Sequence, residues 1–84
     1  MSDCTITDEQ LSLMISLKIP LIIMQIIKEL GVSADEAFEM FYGSETYALL
    51  SRKQSYYWGE STEFVAESFM RERAGLPIEE FENI

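Results

Sequence analysis

The sequence predicts an all-α fold: a small bundle of four helices, with a short fifth allowed for, packed around a long hydrophobic first helix kinked at Pro20. Three observations predict it. Leu11 to Leu30 is the one stretch long and apolar enough to centre a core. Thr7 with Gln10, and Ser33 with Glu36, have the spacing of reciprocal helix-start caps. Gly31, Gly43 and Gly75 each follow a periodic segment where a helix would stop.

The first stretch carries two competing periods. From Leu11 to Ile19 every odd position is apolar, which suits a half-buried strand. Beyond Pro20 the alternation fails, because Leu21, Ile22, Ile23 and Met24 are consecutive. Lys18, Gln25, Lys28 and Glu29 then form a narrow polar stripe at helical spacing. The ends decide for helix. Asp8 and Glu9 stand where the positive end of a helix dipole favours carboxylates, and Lys28 stands in the last turn. The expectation is a helix from Asp8 to Leu30. Pro20 removes a backbone donor and crowds the Ser16 carbonyl, so a kink or a break is expected there. The second half is apolar around most of its circumference and must be covered on more than one side. A membrane span is the rival reading. Lys18 near the middle opposes it, at about 2.5–3.5 kcal/mol on insertion scales. The flank before it is acidic, and no small-residue cleavage site follows, so it does not read as a signal peptide.

The remaining elements follow in order. Met1 to Ile6 is expected to be disordered or loosely packed. Val32 is the staple residue before Ser33, and Ala37, Phe38, Met40 and Phe41 give an apolar face, so a helix is expected over Ala34 to Tyr42. Ser44 caps one or two turns from Glu45 to Leu50, with Tyr47 and Leu50 facing inward and Leu49 beside them. Ser51 to Ser55 reads as a turn, and Arg52-Lys53 is the only locally basic point. Tyr56, Tyr57 and Trp58 cannot share one helix face; read as extended backbone they alternate, with Tyr57 opposite the other two. Ser61 or Thr62 starts a last helix to about Ala74. Its inner side is Phe64, Val65, Ser68 and Phe69; Glu63, Glu67, Arg71 and Arg73 face water. Pro77 prevents continuation, and residues 76–84 are expected to form a loosely packed acidic tail, with one further turn allowed over Ile78 to Ile84. No repeat or linker interrupts the chain, so residues 1–84 read as one domain.

Composition bounds the function. Eighty-four residues bury only a thin core, and association is a common remedy at this size. The chain has fifteen acids, six bases and a net charge of −9, which repels nucleic acid and anionic membranes. Cys4 is the single cysteine, so no intrachain disulfide forms and a cytoplasmic setting is expected. Histidine is absent, which removes the usual general base and the usual zinc ligand. Asp35, Glu36 and Glu39 sit at helix starts or on outward faces, where capping and solvation account for them. Ser33, Ser44 and Ser61 are better employed as caps than as nucleophiles. No glycine-rich phosphate loop and no calcium-loop spacing is present. Arg52 and Lys53 beside Tyr56, Tyr57 and Trp58 could suggest base stacking, but two cations in so acidic a chain are no electrostatic footprint. The reading is therefore non-enzymatic, with no catalytic, metal or cofactor site.

Residues 33–72 contain S-x-x-E-A-F-x-x-F-Y-x-S-E-T-Y-x-x-L, then Y-Y-W-x-x-S, then F-V-x-x-x-F. The pattern is carried by Ser33, Glu36, Ala37, Phe38, Phe41, Ser44, Thr46, Tyr47, Leu50, Tyr57, Trp58 and Ser61. It resembles a family of small uncharacterised bacterial helical proteins, common in gut Firmicutes and sometimes encoded beside toxin-like genes. The resemblance covers about half the chain. It implies a helical protein with a protein partner, an antitoxin-like component, and assigns no functional residue.

The expected function is a protein-interaction module, homodimeric or heterodimeric, of antitoxin-like or regulatory type in a two-protein system. Its candidate interaction surface is Leu21, Ile22, Met24, Ile26, Tyr57, Trp58, Ile78 and Phe81. The alternative is an acidic inhibitor that mimics nucleic acid and occupies a basic groove. One contiguous sheet of carboxylates would favour mimicry. A membrane-associated peptide is a third reading.

Overall fold

The structure is a computed structural model that describes residues 6–78. Among these residues it is all-helical. The order is α1 (Asp8–Leu30), α2 (Ala34–Tyr42), α3 (Glu45–Leu50), two 3-10 turns (Lys53–Ser55 and Tyr57–Gly59), and α4 (Thr62–Arg73). The alternation from Leu11 to Ile19 is thus carried on a helix.

Local chemistry explains where each helix starts. The Gln10 amide donates to Thr7 Oγ1 at 3.0 Å, and the Thr7 amide donates to Gln10 Oε1 at 2.9 Å. Ile6 and Leu11, one on each side of that cap, are both buried, as a hydrophobic staple requires. The expected loose lead is therefore corrected at Ile6; residues 1–5 lie outside the described residues. Ser33 and Glu36 repeat the reciprocal cap at 3.2 and 3.0 Å. Ser44 and Ser61 accept from the amides of Tyr47 and Phe64 at 3.1 and 3.0 Å. Gly31 ends α1 at φ 67°, a left-handed conformation that glycine adopts without steric cost.

The helical assignment of α1 continues through Pro20. Proline has no amide hydrogen, so the Ser16 carbonyl lacks its partner four residues on. Beyond that point α1 turns Ile22, Ile23 and Ile26 into the core. Each contributes about 1.5–3 kcal/mol by burial. Ala37 and Phe41 of α2 meet them, with Leu49 and Leu50 of α3 and Val65 and Phe69 of α4. Phe41 is the aromatic hub, edge-on to Phe69 at 5.8 Å and to Tyr47 at 5.6 Å. Phe38, expected on the apolar face of α2, instead lies more than a third exposed and stacks on Tyr42 at 5.7 Å. α1 packs against α2 and α4, and α3 packs against α2 and α4.

Two polar features join distant parts of the chain. The Glu72 carboxylate, near the end of α4, accepts from the backbone amides of Glu45 and Thr46 at 2.8 and 2.9 Å and from Thr46 Oγ1 at 2.8 Å. It thereby caps α3 from outside, where the helix dipole favours an anion. Ser55, buried at the end of the first 3-10 turn, donates to the Leu49 carbonyl and accepts from the Tyr57 amide at 3.1 Å.

The segment 56–58 departs from the expected extended form. Tyr56 adopts φ 61°, and Tyr57 to Gly59 form a 3-10 turn. A positive φ at a bulky residue is sterically costly and is held by its surroundings. Here Ser55 fastens the chain on one side, and the Trp58 Nε1–H donates to the Lys53 carbonyl at 2.8 Å on the other. Tyr57 is buried, while Tyr56 and Trp58 are neighbours at 6.1 Å and half-buried.

Candidate functional site

Helical geometry divides α1 into two apolar faces. One carries Ile22, Ile23 and Ile26 into the core. On the opposite side Leu13, Leu17, Leu21 and Met24 are 60, 65, 54 and 64 % exposed. Their spacing of four, four and three residues places them in one line along the helix. Pro20 is also exposed, and Met14 and Ile27 flank the line half-buried. Isolated exposed leucines are ordinary, but a contiguous row of large apolar side chains is not. By length and composition α1 is also long and apolar enough to cross a membrane.

The residues expected to form an interaction surface divide sharply. Leu21 and Met24 lie on the exposed row. Ile22 and Ile26 do not; both are fully buried, because α2 and α4 cover that side of α1. Tyr57 is also fully buried, with its hydroxyl 2.9 Å from Ser68 Oγ and its ring edge-on to Phe64 at 5.5 Å. Trp58 is half-buried against the core and held by its indole N–H. Ile78 is half-buried on the core as well, in a segment tied back where Arg71 Nε donates to the Pro77 carbonyl at 2.9 Å. Phe81 lies outside the described residues. The structure therefore brings together two of these eight on one surface and joins them to Leu13 and Leu17. Those two were hidden because the odd-position alternation absorbed them; the spacing 13, 17, 21, 24 was the signal that could have found them.

The charged groups near α1 are arranged around the row rather than on it. Lys18 turns aside, and its ammonium donates to the Glu60 carbonyl at 2.7 Å. Asp8 pairs with Lys53 at 2.7 Å, and that hydrogen bond, with the lysine's charge, holds its carboxyl below the ordinary value of 3.8. Gln25 donates to Glu29 at 3.2 Å. Between α1 and α4 runs an open groove of about 510 Å³, lined by Glu29, Glu63, Glu67 and Arg71 together with Ala66 and Met70. Of the remaining acids, Glu36 and Glu72 serve as caps. Among the described residues no group of three metal-ligating side chains converges.

No family model, no curated protein and no solved structure matches this chain.

Proposed function

We propose that this chain is a non-enzymatic protein-interaction module that binds through the exposed row of α1. The observation that carries the reading is the row itself. Leu13, Leu17, Leu21 and Met24 stay open to solvent on the same helix whose other side centres the core. Covering such a row removes apolar surface from water at about 25 cal/mol per Å², and among the described residues no element does so. The finer architecture belongs to the same proposal. The four helices form a bundle about α1, and Pro20 bends that helix. Support comes from the contacts of α1 with α2 and α4 and from the missing hydrogen bond at Ser16. A place as the smaller, antitoxin-like member of a two-protein system, in the cytoplasm, is the biological form of this reading. Its support is the resemblance over residues 33–72 and the acidic surface, which suits a basic partner. Nucleic-acid mimicry has less support, since Asp8, Glu36 and Glu72 are engaged within the chain.

The test is site-specific photo-crosslinking in cells. A photoreactive residue at Leu17 or Met24 is expected to capture protein, and one at exposed Glu39 on α2 is not. A folded protein that yields no adduct at Leu17, Leu21 or Met24 would remove the row from the function.

A further inference from the structure

Resting on that reading, we infer that the occupant of the row is a second copy of this chain, paired antiparallel along α1. The face carries its own complement. Leu13 and Met24 lie equally far from a midpoint between Lys18 and Ile19, close to the centre of the helix, and so do Glu9 and Lys28. Leu17 and Pro20 flank that midpoint symmetrically. A two-fold axis there sets Leu13 against the partner's Met24, and Leu17 against the partner's Pro20 and Leu21. It also brings Glu9 into reach of the partner's Lys28. An isologous contact needs such self-complementarity, in which each residue meets its counterpart's counterpart.

Charge selects this arrangement over its rivals. A parallel pair would set Glu9 beside the partner's Glu9 and Lys28 beside the partner's Lys28. It would also align the two helix dipoles, whereas the antiparallel pair opposes them favourably. The groups that could spoil the contact are engaged elsewhere. Lys18 is bound to the Glu60 carbonyl, Asp8 to Lys53, and Glu29 to Gln25. From Gln10 to Ile27 the row itself carries no acid, so the net charge of −9 is kept off the contact. Four large residues per helix make a small interface of the weak, reversible class, with dissociation in the micromolar range.

Sedimentation equilibrium of the full chain across micromolar concentrations is the primary experiment. The mass is expected to rise from one chain to two. Lys28→Glu should weaken the pairing about tenfold, and adding Glu9→Lys to it should restore most of the loss, because the pair is then only exchanged. In a Cys4→Ser background, a mixture of Leu13→Cys and Met24→Cys chains should form a mixed disulfide faster than Met24→Cys forms one with itself. Circular dichroism checks that each variant is folded. A monomer at every concentration overturns the proposal, as does preferential Met24–Met24 coupling. The remaining outcomes separate it from the broader reading. A monomer that still photo-crosslinks to a different protein through Leu17 overturns self-pairing alone. A monomer that captures no protein, and instead binds phosphatidylcholine vesicles through the row, overturns both.

Discussion

Removing the Glu72 carboxylate should unfasten α3 from α4. Glu72→Ala deletes one acceptor group that receives three hydrogen bonds at 2.8, 2.9 and 2.8 Å, across 26 or 27 residues of chain. Hydrogen bonds to a charged group contribute about 1.5–3 kcal/mol each, but three on one carboxylate do not add. The Glu45 amide is exposed and recovers water. Thr46 is fully buried, so its amide and hydroxyl lose a partner that solvent cannot readily replace. The expected loss is about 2–4 kcal/mol. α3 has six residues and cannot persist alone, so its packing against Phe69 and Val65 is placed at risk with it. In a domain of this size 1 kcal/mol moves the melting temperature by about 4–8 °C, so a fall of roughly 10–25 °C is expected. Thermal melts at 222 nm measure it, with Glu67→Ala on the exposed side of α4 as control. A double-mutant cycle with Thr46→Val isolates the contact. A loss below about 0.5 kcal/mol for Glu72→Ala, or no coupling in the cycle, would refute the cap.

Ile26→Ala should cost about 2–5 kcal/mol in urea titration, since the side chain is fully enclosed by the core; a cost under 1 kcal/mol would mean the inward face of α1 is misassigned. Tyr57→Phe should cost about 1–3 kcal/mol by leaving the buried Ser68 hydroxyl without its partner at 2.9 Å, and Tyr57→Phe with Ser68→Ala should recover part of that; an equal or larger loss in the double variant would count against the pair. The Asp8–Lys53 pair adds a pH-dependent contribution. The Asp8 carboxyl is held below its ordinary value of 3.8 by Lys53, so the stabilisation is full above that value and is lost as pH falls through the lowered folded one. An NMR titration of the Asp8 carboxyl should therefore rise towards the ordinary value in Lys53→Met, and an unchanged midpoint would dismiss the ion pair.

Features encoded locally were legible in the sequence; those settled between elements were not. The caps at Thr7, Ser33, Ser44 and Ser61 depend on residues three positions apart, so spacing alone locates them, and α1, α2 and α3 follow with their observed ends. The inward face of α1 was a different problem. Leu21, Ile22, Ile23 and Met24 are equally apolar, so no period singles out Ile22 and Ile23. The contacts of α2 and α4 make that choice, which is why Ile22 and Ile26 were expected on a surface they do not reach. The turn at Tyr56 was illegible for a related reason. Its left-handed backbone is held by Ser55, a residue whose sequence context says only that a turn is near. Glu72 reads as one acid among fifteen until the fold brings Thr46 to it.

The missing rung at Pro20 has a consequence for how the molecule opens. It falls where α1 passes from one set of neighbours to another. Its C-terminal half is buried with Phe41 and Phe69, whereas its N-terminal half buries Leu11, only half-buries Ile15 and Ile19, and is fastened by Lys18 to Glu60 and by Asp8 to Lys53. A helix breaks most easily where a bond is already lacking, and regions with few buried contacts open without global unfolding. The turns before Pro20 are therefore expected to open as a separate unit. Their amide hydrogens should exchange with solvent by brief local opening, while those of Ile22, Ile23 and Ile26 wait for the whole chain to unfold.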